Sequence, residues 1–273
     1  MTDRRGFTLV ELMAVAILGS FMVMAAYQVL ITNQRAYTIQ GSKVQAQQNT
    51  RAAMEILFGE LREVSAGGAD IVDFGAQKLT VRAMRKVGVV CENNPMTFGT
   101  TPTLLVRQVA DLFEVGDSVF VFADNDEYKT SDDTWIEGVV TANMAPALCE
   151  GTYDAQLMSF GGQAAAFVAD TVREGAPIRS FTQYTYSLDE YGGAPFLGRA
   201  EAEGDWVPLV GPINGPDGQP GLEFTYLDEA GEETTERNEV RRIVVKVRSF
   251  SAARDQQGQL VVDSLSASVH LRN

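Results

Sequence analysis

The segment from Phe7 to Ile31 constrains the fold more than any other part of this chain. It is a hydrophobic run whose only formal charge is Glu11. Its 25 residues, wound as a helix, reach roughly 37 Å, enough to cross a hydrocarbon core about 30 Å thick. A carboxylate inside such a segment costs about 2.5–3.5 kcal/mol on insertion scales, so Glu11 marks function by default.

The residues around that charge have a definite order: Arg4-Arg5-Gly6-Phe7-Thr8-Leu9-Val10-Glu11-Leu12, then the apolar run. This pattern resembles the class III signal of type IV prepilins and pseudopilins. The resemblance implies that prepilin peptidase removes a leader, Met1–Gly6, by cutting between Gly6 and Phe7, and that the new Phe7 amine is methylated. A residue without a side chain is needed at the cut, which is the role of Gly6. Phe7 would then carry a positive amine one helical turn from Glu11, and in apolar surroundings the two attract far more strongly than in water. In the family this pair forms between subunits; an intrachain pair at i,i+4 spacing is the alternative. An ordinary secretory signal accounts for Arg4 and Arg5, and for Val23-Met24-Ala25 as a cleavage site, but a charge at Glu11 weakens its apolar core. A plain membrane anchor accepts the two arginines on its cytoplasmic side and has no use for Gly6-Phe7 or Glu11.

Charge is distributed unevenly. Residues 1–65 hold 6 Lys/Arg and 5 Asp/Glu, leaving 16 against 31, a formal −15, for residues 66–273. Such a surface repels nucleic acid, so none is expected as a partner of this part of the chain. Cys91 and Cys149 both follow the apolar span, in a compartment that permits disulfides if Arg4 and Arg5 stay in the cytoplasm. A bond between them closes a loop of roughly 59 residues and stabilises by about 4 kcal/mol in the chain-entropy model. Two free buried thiols are the alternative. Two sulfurs and a single histidine, His270, give no basis for a metal centre among themselves.

No proline occurs before Pro95, and from Phe7 to about Val64 the chain reads as one helix of about 85 Å. Gly19-Ser20 is the expected place for it to bend. After Tyr27 the helix turns polar. A second apolar stripe then appears at helical spacing, Ala53, Leu57, Leu61 and Val64 flanked by Met54 and Phe58, as the face that holds a globular head. Gly67-Gly68 is the expected stop. Beyond it the period changes to two, and strands are expected at Leu79–Arg85, Leu104–Val109, Ser118–Ala123, Trp135–Thr141, Arg179–Leu188, Leu222–Leu227, Val240–Phe250 and Leu260–Leu271. The organisation is leader 1–6, membrane and assembly helix 7–31, amphipathic continuation 32–65 and β-rich head 66–273. The fold class is α+β, a helical stem with an antiparallel β-rich head, as in a type IV pilin-like lollipop.

Downstream segments are similar to the larger minor members of the same superfamily. Thr50-Arg-Ala-Ala-Met-Glu-Ile-Leu-Phe-Gly-Glu-Leu-Arg62, Val115-Gly-Asp-Ser-Val-Phe-Val-Phe122, and the ending Val240-Arg-Arg-Ile-Val-Val-Lys-Val through Ser268-Val-His-Leu-Arg-Asn273 resemble PilW-type minor pilins and GspJ-type minor pseudopilins. The resemblance implies a role near a filament tip. Its partners would be other pilins through the N-terminal helix, prepilin peptidase and an inner-membrane assembly platform, in a hetero-oligomeric filament. The choice between a type IV pilus and a type II secretion pseudopilus stays open, and a membrane-anchored or secreted binding protein that never assembles is the reading from another class.

The loop 123–133 gathers Asp124, Asp126, Glu127, Asp132 and Asp133. Hard oxygen ligands suit calcium, with Asp124, Asp126, Asp132 and Asp133 as the candidate set. The EF-hand pattern is absent because Tyr128 stands where a ligand belongs and no glycine follows. A solvated acidic hairpin is the expectation. Arg237, Arg241, Arg242, Lys246 and Arg248 form a basic cluster close to Glu232, Glu233, Glu236 and Glu239, read as a charge-balanced surface. No nucleophile elbow, phosphate loop, Ser/His/Asp order or metal-spaced His/Cys set is present, so no enzyme is expected.

Overall fold

The computed structural model describes residues 8–65, 70–92, 103–109, 111–124, 133–161, 172–202, 204–254 and 258–271. Among the described residues one α-helix, α1 (Leu9–Leu61, 53 residues), is followed by twelve antiparallel strands. This is the α+β arrangement expected from the change of period.

α1 runs without interruption through Gly19 and Ser20, where the Ser20 hydroxyl donates to the Ile17 carbonyl at 2.7 Å. Its end differs from the expectation. The helix stops at Leu61, a little short of the expected Val64, and the expected stop, Gly67-Gly68, lies outside the described residues. The amides of Glu63 and Val64 bond three residues back, to Glu60 and Leu61, so the last turn tightens and closes without a glycine. Val64 is nonetheless fully buried and completes the stripe of Ala53, Met54, Leu57 and Leu61.

The strands are β1 (Ile71–Gly75), β2 (Lys78–Glu92), β3 (Thr103–Gln108), β4 (Ser118–Ala123), β5 (Thr134–Cys149), β6 (Tyr153–Gly161), β7 (Pro177–Tyr191), β8 (Ala194–Glu201), β9 (Val207–Val210), β10 (Leu222–Leu227), β11 (Arg242–Arg254) and β12 (Leu260–His270). Four of these, β1, β6, β8 and β9, were not expected from sequence. β8 and β9 contain Pro195 and Pro208, which weaken a strand signal. β5 runs eight residues beyond Thr141 by passing Pro146 at a register shift, a position where proline costs no ladder bond.

β2 and β7 are long, and each serves two sheets. Their barrel-side halves join the cycle β2-β3-β6-β5-β4-β7, which closes because β7 pairs back with β2. The barrel is filled by Val90, Val106, Phe113, Val119, Val121, Val140, Met158, Phe160 and Ile178, among others. Closure removes the strand edges of this part. The other halves form a five-stranded surface, β1-β2-β7-β8-β9, beside a separate sheet, β10-β11-β12. The end of α1, from Ala53 to Leu61, shares a core with both: Leu57 and Leu61 meet residues such as Leu79, Val81, Tyr186, Phe224, Ile243 and Val245. Each fully buried leucine there stabilises by about 1.5–3 kcal/mol relative to exposure. The Thr50 hydroxyl hydrogen-bonds the Asp263 carboxylate and fixes the helix along β12.

On β11, Ile243, Val245 and Val247 face the core as the alternation predicts. Arg248, expected on the solvent side, is instead buried: its guanidinium donates to Glu223 and to the Pro220 carbonyl, both at 2.8 Å. The acidic neighbour it uses comes from β10, a contact set by sheet register.

Candidate functional site

The start of α1 is built by a local device. Thr8 is the N-cap, with extended backbone (φ −79°, ψ 150°), and its hydroxyl accepts from the Glu11 amide at 3.3 Å. Glu11 is the third helical residue, so Thr8-x-x-Glu11 has the spacing of a capping box. Sequence reasoning passed over Thr8, although the pattern was there to be read. Glu11 also sits where the helix dipole favours an anion, worth about 0.3–1 kcal/mol at an exposed terminus. Among the described residues no cation pairs with the Glu11 carboxylate. Gly6 and Phe7 lie outside the described residues.

The rest of this site is defined by lack of cover. The apolar stretch of α1 has a mean hydropathy of 2.2 and none of it is buried by the head. Burial begins only at Ala46. The helix therefore divides into a head-bound C-terminal part that begins at Ala46 and a longer N-terminal part in which Leu12, Ile17 and Phe21, among others, remain exposed.

Of the other candidates, Cys91 and Cys149 are joined in a disulfide, with Cα atoms 5.5 Å apart. They sit in a small buried cluster with Leu105 and Ala155, pinning the end of the β5–β6 hairpin to β2. Within the acidic loop, Asp126 and Asp132 lie outside the described residues. Asp124 faces Arg173 at 3.6 Å, Asp133 is also engaged, and among the described residues no group of three or more His, Cys, Asp or Glu is arranged to hold a metal.

The structure adds a site that the sequence did not signal. Asp70, fully buried, receives both guanidinium nitrogens of Arg179 at 2.9 Å and the Ser65 amide at 2.8 Å. The Arg179 guanidinium lies over Trp135 (4.5 Å) and Phe120 (5.2 Å) from the barrel. Burial raises the Asp70 carboxyl above its ordinary value, against the pull of Arg179. The pair connects the segment leaving α1 to the barrel strands, and nothing in it is open to a substrate.

Residues 1–27 match the family model described as the prokaryotic N-terminal methylation motif. No curated protein and no solved structure matches the chain. The chain thus carries a class III prepilin-like signal, the mark of a type IV pilin-like protein of a pilus or pseudopilus. The motif implies processing by prepilin peptidase, and the apolar helix that it runs into is long enough to cross a membrane.

Proposed function

We propose that this chain is a non-catalytic minor pilin of a type IV filament. It is cut between Gly6 and Phe7, methylated at Phe7 and held by residues 7–31 in the inner membrane with the head outside the cytoplasm. From there it is drawn into a filament or its tip complex. The observation that carries the reading is a methylation motif that runs into the start of α1, a helix whose apolar stretch the head leaves uncovered. An apolar surface of that extent needs either lipid or neighbouring helices. Glu11 supplies the selectivity: in lipid its charge is costly, and beside the Phe7 amine of a neighbouring subunit it is neutralised. Assembly is then favoured, and register is set by a single pair.

The same helix serves a type II secretion pseudopilus, so the test must separate the two systems. Deleting the gene and scoring surface filaments together with proteins released to the medium does so. Lost filaments with intact secretion support the pilin, and lost secretion with intact filaments supports the pseudopilin. If both are intact, the chain is a binding protein that does not assemble.

A further inference from the structure

Among the described residues the head has four open sheet edges, β1, β9, β10 and β12. Three of them carry features that discourage pairing with another chain. β9 is four residues long and includes Pro208. On β1 the Val72 carbonyl is taken by the Arg237 guanidinium at 2.9 Å. On β10 the Phe224 amide bonds to Ala76 and the Tyr226 carbonyl accepts from Thr234. Short strands, prolines and covering groups are the usual means of blunting an edge.

β12 has none of these. Its eleven residues, Leu260–His270, contain no proline, lysine or arginine, and its one carboxylate, Asp263, is turned inward to Thr50. The Leu271 amide bonds to Arg241 of the neighbouring chain segment, which turns the odd-numbered residues of β12 towards β11. The N–H and C=O groups of Val262, Ser264, Ser266, Ser268 and His270 therefore point away from the sheet, along about 27 Å of strand. Among the described residues no backbone group pairs with them. The side chains on these positions are mostly serines, small enough to let another backbone approach. On the helix side Leu265 is 38% exposed although its cross-strand neighbour Val247 is fully buried. One more strand would cover it.

We propose that β12 is a docking edge for an extended strand supplied by a different chain of the same assembly, and this rests on the assembly reading above. The strand adds by main-chain hydrogen bonds to residues 262–270 and places apolar side chains over Leu265. It is neutral or basic, because the head carries −15. The same charge argues against a second copy of this head, which would bring its own −15 to a symmetric β12–β12 pairing.

The test uses the full-length chain. Ser266→Pro removes an outward amide without touching the β11 ladder, and Ser266→Lys places a charge on the edge. Recovery in sheared filaments is compared with a Glu11→Ala chain, and amide exchange of Ser264, Ser266 and Ser268 is followed in detergent and in the assembly. We expect roughly tenfold lower recovery for both Ser266 variants at an unchanged thermal midpoint in detergent, and roughly tenfold slower exchange on assembly. Unslowed exchange in the assembled chain, or undiminished recovery of Ser266→Lys, overturns the inference. Protection that grows with concentration of the isolated chain assigns the edge to a second copy and overturns it as well. Absence of the unaltered chain from sheared filaments would instead remove the assembly reading itself, whereas normal recovery of Glu11→Ala would remove only the role given to Glu11.

Discussion

Asp70 and Arg179 lie 109 positions apart and meet as a bidentate ion pair, both N–H···O contacts at 2.9 Å, beneath the aromatic rings of Phe120 and Trp135. Desolvation offsets much of the attraction in such a pair, so it adds little net stability, yet removing one partner strands the other charge. Asp70→Asn or Arg179→Met is expected to lower the unfolding free energy by about 3–5 kcal/mol. The double variant should lose less than the two single losses combined. Urea titration of the full chain in detergent measures this, and additive losses would show that the pair does not act as a unit.

Tyr186 and Tyr226 should resist ionisation. Burial, helped by the charge of Glu60, pushes the Tyr186 phenol up to about 12, and burial raises Tyr226 further, with its hydroxyl donating to the Gly75 carbonyl at 3.0 Å. Below pH 10 both folded and unfolded chains hold these protons and the full contribution is present. As pH rises above 10 the unfolded chain releases its protons first, so stability falls through pH 12. A pH titration of tyrosinate absorbance should show two late phenols that appear together with loss of the fold. Early titration of all eight would contradict the burial assigned to Tyr186 and Tyr226.

Replacing Cys91 and Cys149 together by alanine should cost about 4 kcal/mol in the chain-entropy model, and reductant should reproduce the loss in the unaltered chain. Hydrogen exchange should then quicken first in the β5–β6 hairpin that the bond pins to β2, with the core under α1 unaffected. Uniform loosening of the whole head would assign the bond a global role.

Gly6→Val should leave the uncut precursor in the membrane, which intact-mass measurement detects as the retained leader. Glu11→Ala should be cut and methylated normally but be missing from sheared filaments. Thr8→Ala separates the two readings of Glu11. If the carboxylate acts only through the local cap, loss of the Thr8 hydroxyl, worth about 1 kcal/mol, should mimic Glu11→Ala. If it pairs with a neighbouring subunit, Thr8→Ala should assemble at nearly the normal level.

The sequence by itself determined the elements whose causes are local. The uncovered apolar span and Glu11 follow from residue order. So do the stripe from Ala53 to Val64 and the alternation of Ile243, Val245 and Val247, because helix and strand periods map directly onto faces. The capping pair of Thr8 and Glu11 was equally local and equally available. What only the tertiary structure decided depends on residues far apart in the chain. Closure of the barrel needs β7 to pair back with β2, and neither strand states its partner. Asp70 follows Gly67-Gly68 in the sequence, where nothing local marks it for burial until β7 delivers Arg179 beside it. Arg248 alternates as an outward residue, but Glu223 on β10 draws it into a buried pair. The exposed edge of β12 is the same kind of fact: its serines spell an ordinary half-buried strand, and only the order of strands leaves it last in the sheet.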